Sequence, residues 1–309
     1  MNVNKRLSKV YLSSKAIPVD DTSKLVLMSD CHRGDGSWAD NFARNQTLYA
    51  AALHYYYNNG YLYFELGDGD ELWENKRLCD ILRIHTDVFW ILYRLYMEKR
   101  AFFIYGNHDM VKKSPRFVRS DLSECEDAGG RTWLRFFSEA EFRQGLVLKY
   151  RPSKTGPEHP ILLLHGHQAD FFNDQLWKCS RFLVRYLWKP LELIGVNDPT
   201  STSKNHDRKE VVETLLTDWA DKNRVLLVAG HTHRAVFPEA GKSLYFNDGS
   251  CVGPYGITSL EIEGGYITLV KWRMQTRPDG TLYVGKEIMA GPSRLAEYFE
   301  PVPAAAHAR

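Results

Sequence analysis

Five short apolar segments of this chain each end in a cluster of polar residues. The clusters are Asp30-Cys31-His32, Gly67-Asp68, Gly106-Asn107-His108-Asp109, His165-Gly166-His167 and Gly230-His231-Thr232-His233. A short apolar run that stops at glycine and polar residues is typical of a buried strand. In α/β sheets, binding sites form beyond the carboxyl ends of the strands, where glycine lets a ligand approach the backbone. The sequence therefore predicts a fold whose strands bring these polar residues to one site.

The order of the other segments indicates the fold class. Apolar segments over 24–30, 61–68 and 101–105 predict strands, and they alternate with predicted helices over 41–59 and 77–99. After residue 145 strands predominate, and Gly264-Gly265 is the expected turn of a hairpin. Early βαβ units followed by a β-rich second half predict a layered α/β sandwich.

One connection is too long to be a simple loop. More than fifty residues of helical character separate the strand that ends at His167 from the strand that begins at Arg224. Loops of that length without structure of their own are uncommon in compact domains. We therefore predict a helical insert over 168–223, within a domain over 24–290. Residues 1–23 would form an N-terminal extension and residues 291–309 a C-terminal tail.

The insert has two interpretations. Leu176, Leu183 and Leu187 recur at helical spacing, while Arg181 and Arg185 fall on a basic face of the same helix. A helical hairpin that packs on itself and on the sandwich explains this pattern. A lid with an apolar groove and a basic rim also explains it, and it would suit an anionic amphiphile at a membrane surface. In the second interpretation Arg181 and Arg185 bind substrate.

Composition argues against several classes of protein. Forty basic and 38 acidic residues give a net charge of +2, which offers no overall attraction to nucleic acid. The five cysteines are scattered and form no CxxC pair, so we expect reduced thiols and no disulfide framework. The N-terminus lacks the apolar core of a signal peptide, and no run of about 18 apolar residues occurs. We therefore expect a cytoplasmic protein.

The residue types in the five clusters indicate a metal site. They are carboxylates, an amide and imidazoles without a thiolate, a set that suits Mn²⁺ and also Fe or Zn²⁺. There are more ligands than one ion needs. Two ions about 3.5–4 Å apart stabilise the attacking and leaving oxygens of an in-line displacement. Phosphoryl transfer depends on such positioning and charge neutralisation.

The combination of these clusters, over residues 24 to about 265, resembles the calcineurin-like metallophosphoesterase superfamily. The resemblance implies a four-layer αββα sandwich that binds two divalent ions. It implies that Asp30, His32 and His233 hold one metal ion and that Asn107, His165 and His231 hold the second. Asp68 would bridge them, and the water between the ions would be the nucleophile.

The same resemblance assigns roles beside the metal ions. His108 would act as general acid or charge stabiliser, oriented by Asp109. Arg33 follows the first cluster, where it would either bind phosphate or cap a loop. The acidic residues after Asp68, among them Glu71, are expected to lie in the first turn of a helix. His167 would be either a further metal or phosphate contact or a structural residue.

A second resemblance concerns the insert. The stretch from His165 to His233 is similar to the UDP-2,3-diacylglucosamine hydrolases of lipid A synthesis, in which a helical insert between the same histidine motifs shelters acyl chains. Three features differ from that group. It carries Gly-Asn-Arg-Asp where this chain has Gly106-Asn107-His108-Asp109, and it usually carries His-Gly-Asp where this chain has His165-Gly166-His167. The first motif of this chain, SDCHRGDG over residues 29–36, is also unusual.

Together these observations predict a dinuclear metal-dependent phosphoesterase with a helical lid. Its substrate would be a phosphate ester or pyrophosphate, lipid-linked or nucleotide-linked, with peripheral contact at the inner membrane face. A soluble phosphomonoesterase or phosphodiesterase acting on phosphoprotein or cyclic nucleotides is the alternative among enzymes. A non-catalytic scaffold with the same fold is the alternative of another class.

Overall fold

The computed structural model describes residues 2–122, 140–152, 156–188 and 205–300. Twelve strands are described: β1 Lys15–Asp20, β2 Leu25–Met28, β3 Leu62–Leu66, β4 Ala101–Ile104, β5 Phe142–Arg143, β6 Gly145–Arg151, β7 His159–Leu164, β8 Leu226–Ala229, β9 Tyr245–Asn247, β10 Ile257–Glu263, β11 Tyr266–Thr276 and β12 Leu282–Arg294. The α-helices are α1 Val3–Ser13, α2 Gln46–Asn58, α3 Leu78–Ile84, α4 Thr86–Met97, α5 Pro115–Leu122, α6 Phe171–Asp174, α7 Trp177–Leu183 and α8 His206–Asn223. Shorter 3₁₀ turns cover Met110–Lys113, His167–Ala169 and Leu295–Phe299, and a π-helical turn covers Val184–Trp188.

The strands form two sheets. The first has the order β12-β11-β10-β2-β3-β4-β5, and the second has the order β1-β6-β7-β8-β9. In the first sheet β2, β3 and β4 run parallel, and in the second β7, β8 and β9 do so. Parallel neighbours place their carboxyl ends at the same edge of a sheet, so both sheets contribute an edge to a common site.

Successive side chains along a strand point alternately into two different layers of the sandwich. Leu25 and Leu27 of β2 belong to the core shared with the second sheet, whereas Val26 and Met28 pack with the residues of α2, α3 and α4. All four side chains are fully buried, and burial of such a side chain contributes about 1.5–3 kcal/mol. On the other side, α1 and α8 cover the second sheet, with Trp219 inside the core. The predicted α/β sandwich, with helices on both outer faces, is confirmed.

The N-terminal segment is part of the sandwich and not an extension of it. Residues of β1 pair in parallel with β6, with Ile17 opposite Leu148. Leu7 and Val10 of α1 are buried in the core. The helix and strand that precede residue 24 thus pack with the domain predicted to begin there, and the period-2 pattern of a six-residue edge strand is too short to be distinctive. The predicted boundary at residue 290 falls inside β12, and residues 301–309 of the predicted tail lie outside the described residues.

The helix predicted over 77–99 is divided at His85. The backbone of His85 leaves the helical region, and its buried ring lies between two acceptors. Nε2 is 2.9 Å from Asp40 Oδ2 and Nδ1 is 2.9 Å from Gln46 Oε1. The ring thereby ties the end of α3 to the loop that follows the first metal-ligand cluster.

The cysteines only partly follow expectation. Cys31, Cys179 and Cys251 are free, but Cys79 is disulfide-bonded. The prediction of reduced thiols is therefore wrong at Cys79, because spacing along a sequence does not show which thiols the fold brings within bonding distance. Cys125 lies outside the described residues.

The described parts of the insert are α6, α7, the π-helical turn and α8, while residues 189–204 lie outside the described part. The predicted apolar stripe is exposed: Leu176, Leu183 and Leu187 are 39–46% accessible. Trp177, one position from Leu176, is buried instead. Within the described residues, no helix is both long and apolar enough to span a membrane.

Candidate metal centre

The seven predicted metal ligands all follow the carboxyl ends of strands. Asp30 and His32 follow β2, Asp68 follows β3, Asn107 follows β4, His165 follows β7, and His231 and His233 follow β8. Seven described residues other than glycine have positive φ, and five of them belong to this set: Asp30, His32, Asp68, His231 and His233. Such backbone conformations cost roughly 1–3 kcal/mol each and concentrate at functional sites. The fold holds these side chains in place at an energetic cost.

Glycine is required where two of the loops meet. A Cβ on Gly106 would lie 2.1 Å from Asp68 Oδ1, and a Cβ on Gly67 would lie 2.8 Å from His165 Cβ. No side chain fits at either distance. Gly106 therefore follows two residues after the end of β4, so that the next residues can turn toward Asp68.

One group of donor atoms joins Asp30, His32 and His233. His233 Nε2 lies 3.0 Å from Asp30 Oδ1 and 3.3 Å from His32 Nε2. All three donor atoms lie within 4.8 Å of one another, close enough to hold one ion. The group draws ligands from both sheets.

A second group joins Asp68, His165 and His231, again within 4.8 Å. His165 Nε2 lies 3.1 Å from Asp68 Oδ2 and 3.2 Å from the Asn107 amide oxygen. Asp68 Oδ2 is also 3.7 Å from His32 Nε2 of the first group. Asp68 therefore lies between the two groups, as a bridging carboxylate would.

The donor atoms fit a pair of divalent cations. Among the described residues, Asp30 Oδ1 and His231 Nε2 are buried without a hydrogen-bond partner, although an unsatisfied buried polar atom costs about 1–3 kcal/mol. The Nε2 atoms of His32 and His233 also face each other at 3.3 Å. Cations bound to these nitrogen and oxygen atoms would satisfy all of them.

Asp30 is oriented by residues that the sequence did not indicate. Its Oδ2 lies 2.5 Å from Ser29 Oγ and accepts the His231 backbone N–H at 2.8 Å. Ser29 Oγ is also 2.6 Å from Asp248 Oδ1. Burial raises the pKa of Asp248 well above its ordinary value. The Ser29 hydroxyl contacts Asp30 through Oδ2, so Asp30 Oδ1 remains available for a cation.

His108 lies beside the second group, and Glu71 contacts its ring. His108 Nδ1 is 2.8 Å from Glu71 Oε1, and its ring stacks on Trp73 with centroids 4.2 Å apart. Its backbone N–H donates to Asp68 Oδ1 at 2.8 Å. Burial lowers the pKa of His108, but Glu71 and Asp68 raise it by more. The imidazole is thus positioned and electrostatically disposed to hold a proton next to the metal ligands.

The predicted role of Asp109 is corrected. Its Oδ1 accepts the Gly106 N–H at 2.7 Å, and its Oδ2 accepts from Lys112 Nζ at 2.8 Å. The His108 ring is contacted by Glu71 instead of Asp109. The second carboxylate oxygen of Glu71 lies 2.8 Å from His32 Nδ1. Sequence reasoning missed Glu71 because residues 71–75 were expected to begin a helix, whereas they form a turn. A carboxylate three positions after a ligand in a strand-end turn was the available signal.

Arg33 does not bind phosphate in this arrangement. It is 1% exposed, and its guanidinium contacts Glu65 at 2.8 and 3.1 Å and Asp70 at 2.7 Å. The group also lies over the Phe89 ring. Because two buried carboxylates bind the guanidinium, the predicted substrate role of Arg33 is wrong, and the residue acts as a structural cation beneath the site.

The two arginines of the insert also have protein partners. Arg185 donates to backbone carbonyls of the 72–75 turn, so its predicted substrate role is corrected. Arg181 lies over the Trp177 ring, 5.0 Å from its centroid, and remains a candidate for substrate contact. Both differences arise because the partners of a long side chain depend on its position in the tertiary structure. Helical spacing in the sequence does not show that position.

His167 is fully buried beside the second group. Its ring centroid is 5.5 Å from that of His165, and neither of its nitrogens has a hydrogen-bond partner among the described residues. Burial lowers the pKa of His167 well below its usual value, so the ring is neutral. It joins none of the donor groups found in the described part of the chain.

The match to a protein-family model agrees with this geometry. The family model for calcineurin-like phosphoesterases matches residues 23–235, more than half of the chain. Among solved structures, Vps29 of Chaetomium thermophilum is similar at 12% identity and a TM-score of 0.35, covering 87% of this chain and 96% of that one. No curated protein matches the sequence.

Proposed function

The chain belongs to the calcineurin-like phosphoesterase family, and we propose that it is a dinuclear metal-dependent phosphoesterase. Its substrate is a phosphate ester or a pyrophosphate. The observation that carries the proposal is the pair of donor groups joined through Asp68. Two adjacent cation sites suit phosphoryl transfer, which depends on positioning and charge neutralisation.

The roles of the ligands follow from the two groups. Asp30, His32 and His233 hold one cation, and Asn107, His165 and His231 hold the second, with Asp68 between them. When bound, the cations supply activation of water and neutralise charge on the phosphate oxygens. The nitrogen and oxygen donors suit manganese, with iron or zinc as alternatives.

His108 protonates the leaving oxygen or stabilises charge on the phosphate. Its Nδ1 donates to Glu71, which fixes the ring and leaves Nε2 as the atom that meets substrate. About a fifth of the His108 side chain is accessible, so substrate reaches the ring from solvent. The stacked Trp73 indole covers one face of the ring and excludes water from it.

The substrate carries an apolar portion. Phe171, Phe172, Phe182 and Tyr186 of the insert are 50–62% exposed, an unusual concentration of accessible aromatic surface. Beside them a cavity of about 420 Å³ is lined by residues of α1, α6 and α8. Asp170, which lines this cavity, has Oδ2 3.6 Å from His231 Nε2. An apolar cavity next to a phosphate site supports a lipid-linked or nucleotide-linked substrate such as that of the UDP-2,3-diacylglucosamine hydrolase group.

The same surface supports peripheral contact with a membrane. Aromatic side chains and the basic residues Lys178 and Arg181 lie together on the described insert, the combination that favours anionic lipid headgroups. We place the protein in the cytoplasm, with the insert toward the inner face of the membrane.

A hydrolysis panel tests this function. The purified protein with Mn²⁺ would receive a simple phosphomonoester, a simple phosphodiester and a UDP-linked diacyl sugar at equal concentration, with metal content measured in parallel. We expect about two ions per chain and preferential turnover of the acylated pyrophosphate. Turnover of only the simple esters would overturn the amphiphile assignment and favour a soluble phosphatase or phosphodiesterase. Absence of both turnover and bound metal would favour a scaffold.

A further inference from the structure

The turn over residues 71–75 forms one wall of the site, and the carboxylate of its Glu71 lies within 4.8 Å of ring nitrogens of His32 and His108. Glu71 contacts the rings of His108 and His32, and Trp73 stacks on His108. The backbone N–H of Trp73 also donates to Glu71 Oε1 at 3.2 Å. This hydrogen bond links the two residues that contact His108. The position of this turn therefore decides where the His108 ring lies.

A single side chain of the insert binds the carbonyl groups of this turn. Arg185 Nη2 donates to Leu72 O at 2.7 Å and to Asn75 O at 2.9 Å, and Nε donates to Trp73 O at 2.8 Å. A charged donor makes hydrogen bonds that are about twice as strong as neutral ones. The planar guanidinium fixes three carbonyls relative to one another, which a lysine does not do.

Apolar packing reinforces the same junction. Trp73, Met110 and Trp177 form a small buried cluster, against which Val184 of the insert packs. Val184 and Arg185 begin the π-helical turn, and such turns inside helices are frequent at functional sites. The insert therefore contacts the turn through one charged and one apolar connection, at adjacent residues.

We propose that Arg185 is a positioning residue through which the insert sets the placement of the His108–Glu71 pair. The proposal rests on the proposed function, because it takes His108 to act on the phosphate ester. Two of the guanidinium nitrogens are already directed at the turn, so the group does not serve as the phosphate contact that helical spacing had indicated.

The experiment compares Arg185→Ala with the wild type in Mn²⁺, using bis(p-nitrophenyl) phosphate, a soluble diester without acyl chains. We expect kcat to fall about 10- to 100-fold, since a small displacement of a catalytic group costs rate of that order. KM and bound metal should change little. Guanidinium ion at millimolar concentration should restore part of kcat. Lys222→Ala, which removes an exposed cation from α8 of the insert, is the matched control and should leave kcat unchanged.

A second readout does not depend on turnover. Carbethoxylation of His108 by diethylpyrocarbonate, followed by peptide mass spectrometry, should be faster in Arg185→Ala because Trp73 and Glu71 no longer hold the ring. If the wild type hydrolyses no phosphate ester, the proposed function fails, and this rate alone decides the role of Arg185. If Arg185→Ala does not fold, Arg185→Lys is measured instead, and should show the same changes to a smaller degree.

Two results would overturn the proposal. A raised KM at constant kcat would make Arg185 a direct substrate contact. Equal kcat and equal carbethoxylation rates in variant and wild type would show that the insert does not position His108.

Discussion

Glu71 Oε1 lies 2.8 Å from Nδ1 of His108, although the residues belong to separate strand-end loops. The contact makes a carboxylate outside the two donor groups assigned to cations the partner of the proposed acid, and Glu71, His32 and His108 form a further cluster of possible ligands. Carboxylate partners of metal-site histidines typically contribute 10- to 100-fold to metal affinity or activity.

Replacing this carboxylate should therefore lower the rate. Glu71→Gln keeps the shape of the side chain, but an amide has only one accepting oxygen. It therefore cannot accept hydrogen bonds from both His108 and His32 as the two carboxylate oxygens do. We expect kcat on a simple diester to fall about 10- to 100-fold, with a smaller loss of Mn²⁺ affinity because His32 is also released. Glu74→Gln, in the same turn, is the control. Unchanged kinetics in Glu71→Gln would remove the residue from the mechanism.

Substitutions of Asp68 and of His108 should affect metal content and turnover differently. Asp68→Ala removes the carboxylate between the two donor groups, so both bound metal and turnover should be lost. His108→Ala leaves both groups intact, so the metal content should persist while kcat falls. Metal analysis with initial rates on the two variants checks this. Normal activity in Asp68→Ala would contradict the assignment of the site.

The ionic cluster beneath the site should be needed for stability. Lys112 is 2% exposed, and its Nζ lies 2.5 Å from Asp70 Oδ2 and 2.8 Å from Asp109 Oδ2. Lys112→Met leaves both carboxylates without that cation, and removal of one partner from a buried pair costs about 3–5 kcal/mol. Urea unfolding measures the loss. The neighbouring Lys113→Met should cost less than about 1 kcal/mol, and equal losses in the two variants would refute the role of the cluster.

Acid should weaken the loop that follows the first ligand cluster. Burial raises the pKa of Asp40, but His85 and the backbone N–H groups of Gly36 and Ala43 lower it by more, to below its ordinary 3.8. A carboxyl whose pKa is lower in the folded state stabilises the fold above its unfolded pKa, and that stabilisation is lost as pH falls through the folded pKa.

The measurement is the free energy of unfolding in urea between pH 6 and pH 3, with chelator present so that metal loss does not contribute. Asp40→Asn should be less stable than wild type at pH 6, and the difference should shrink as the pH falls below about 4. A constant difference between the two proteins across this range would contradict the lowered pKa.

Short strands that end in ligand-like residues were enough to predict the sandwich and the seven residues that meet at its edge. The pattern works because a parallel strand fixes where its next residue lies, whatever the rest of the chain does. Ser29 and Asp248 could not be paired in advance, since 219 positions separate them. Arg33 and Arg185 were misassigned for a related reason: a long cationic side chain binds whichever oxygens lie within reach, and sequence spacing does not show them.

Each donor group takes side chains from both sheets: Asp30 and His32 with His233 in one, and Asp68 with His165 and His231 in the other. A cation in either group would therefore act as a cross-link between the two halves of the sandwich. Away from this edge the core between the sheets is apolar and non-directional, so it resists separation but fixes the relative position of the sheets less sharply. The cations of the proposed phosphoesterase would also set the alignment of the two sheets, and a chelator would loosen that alignment as it removed the proposed activity.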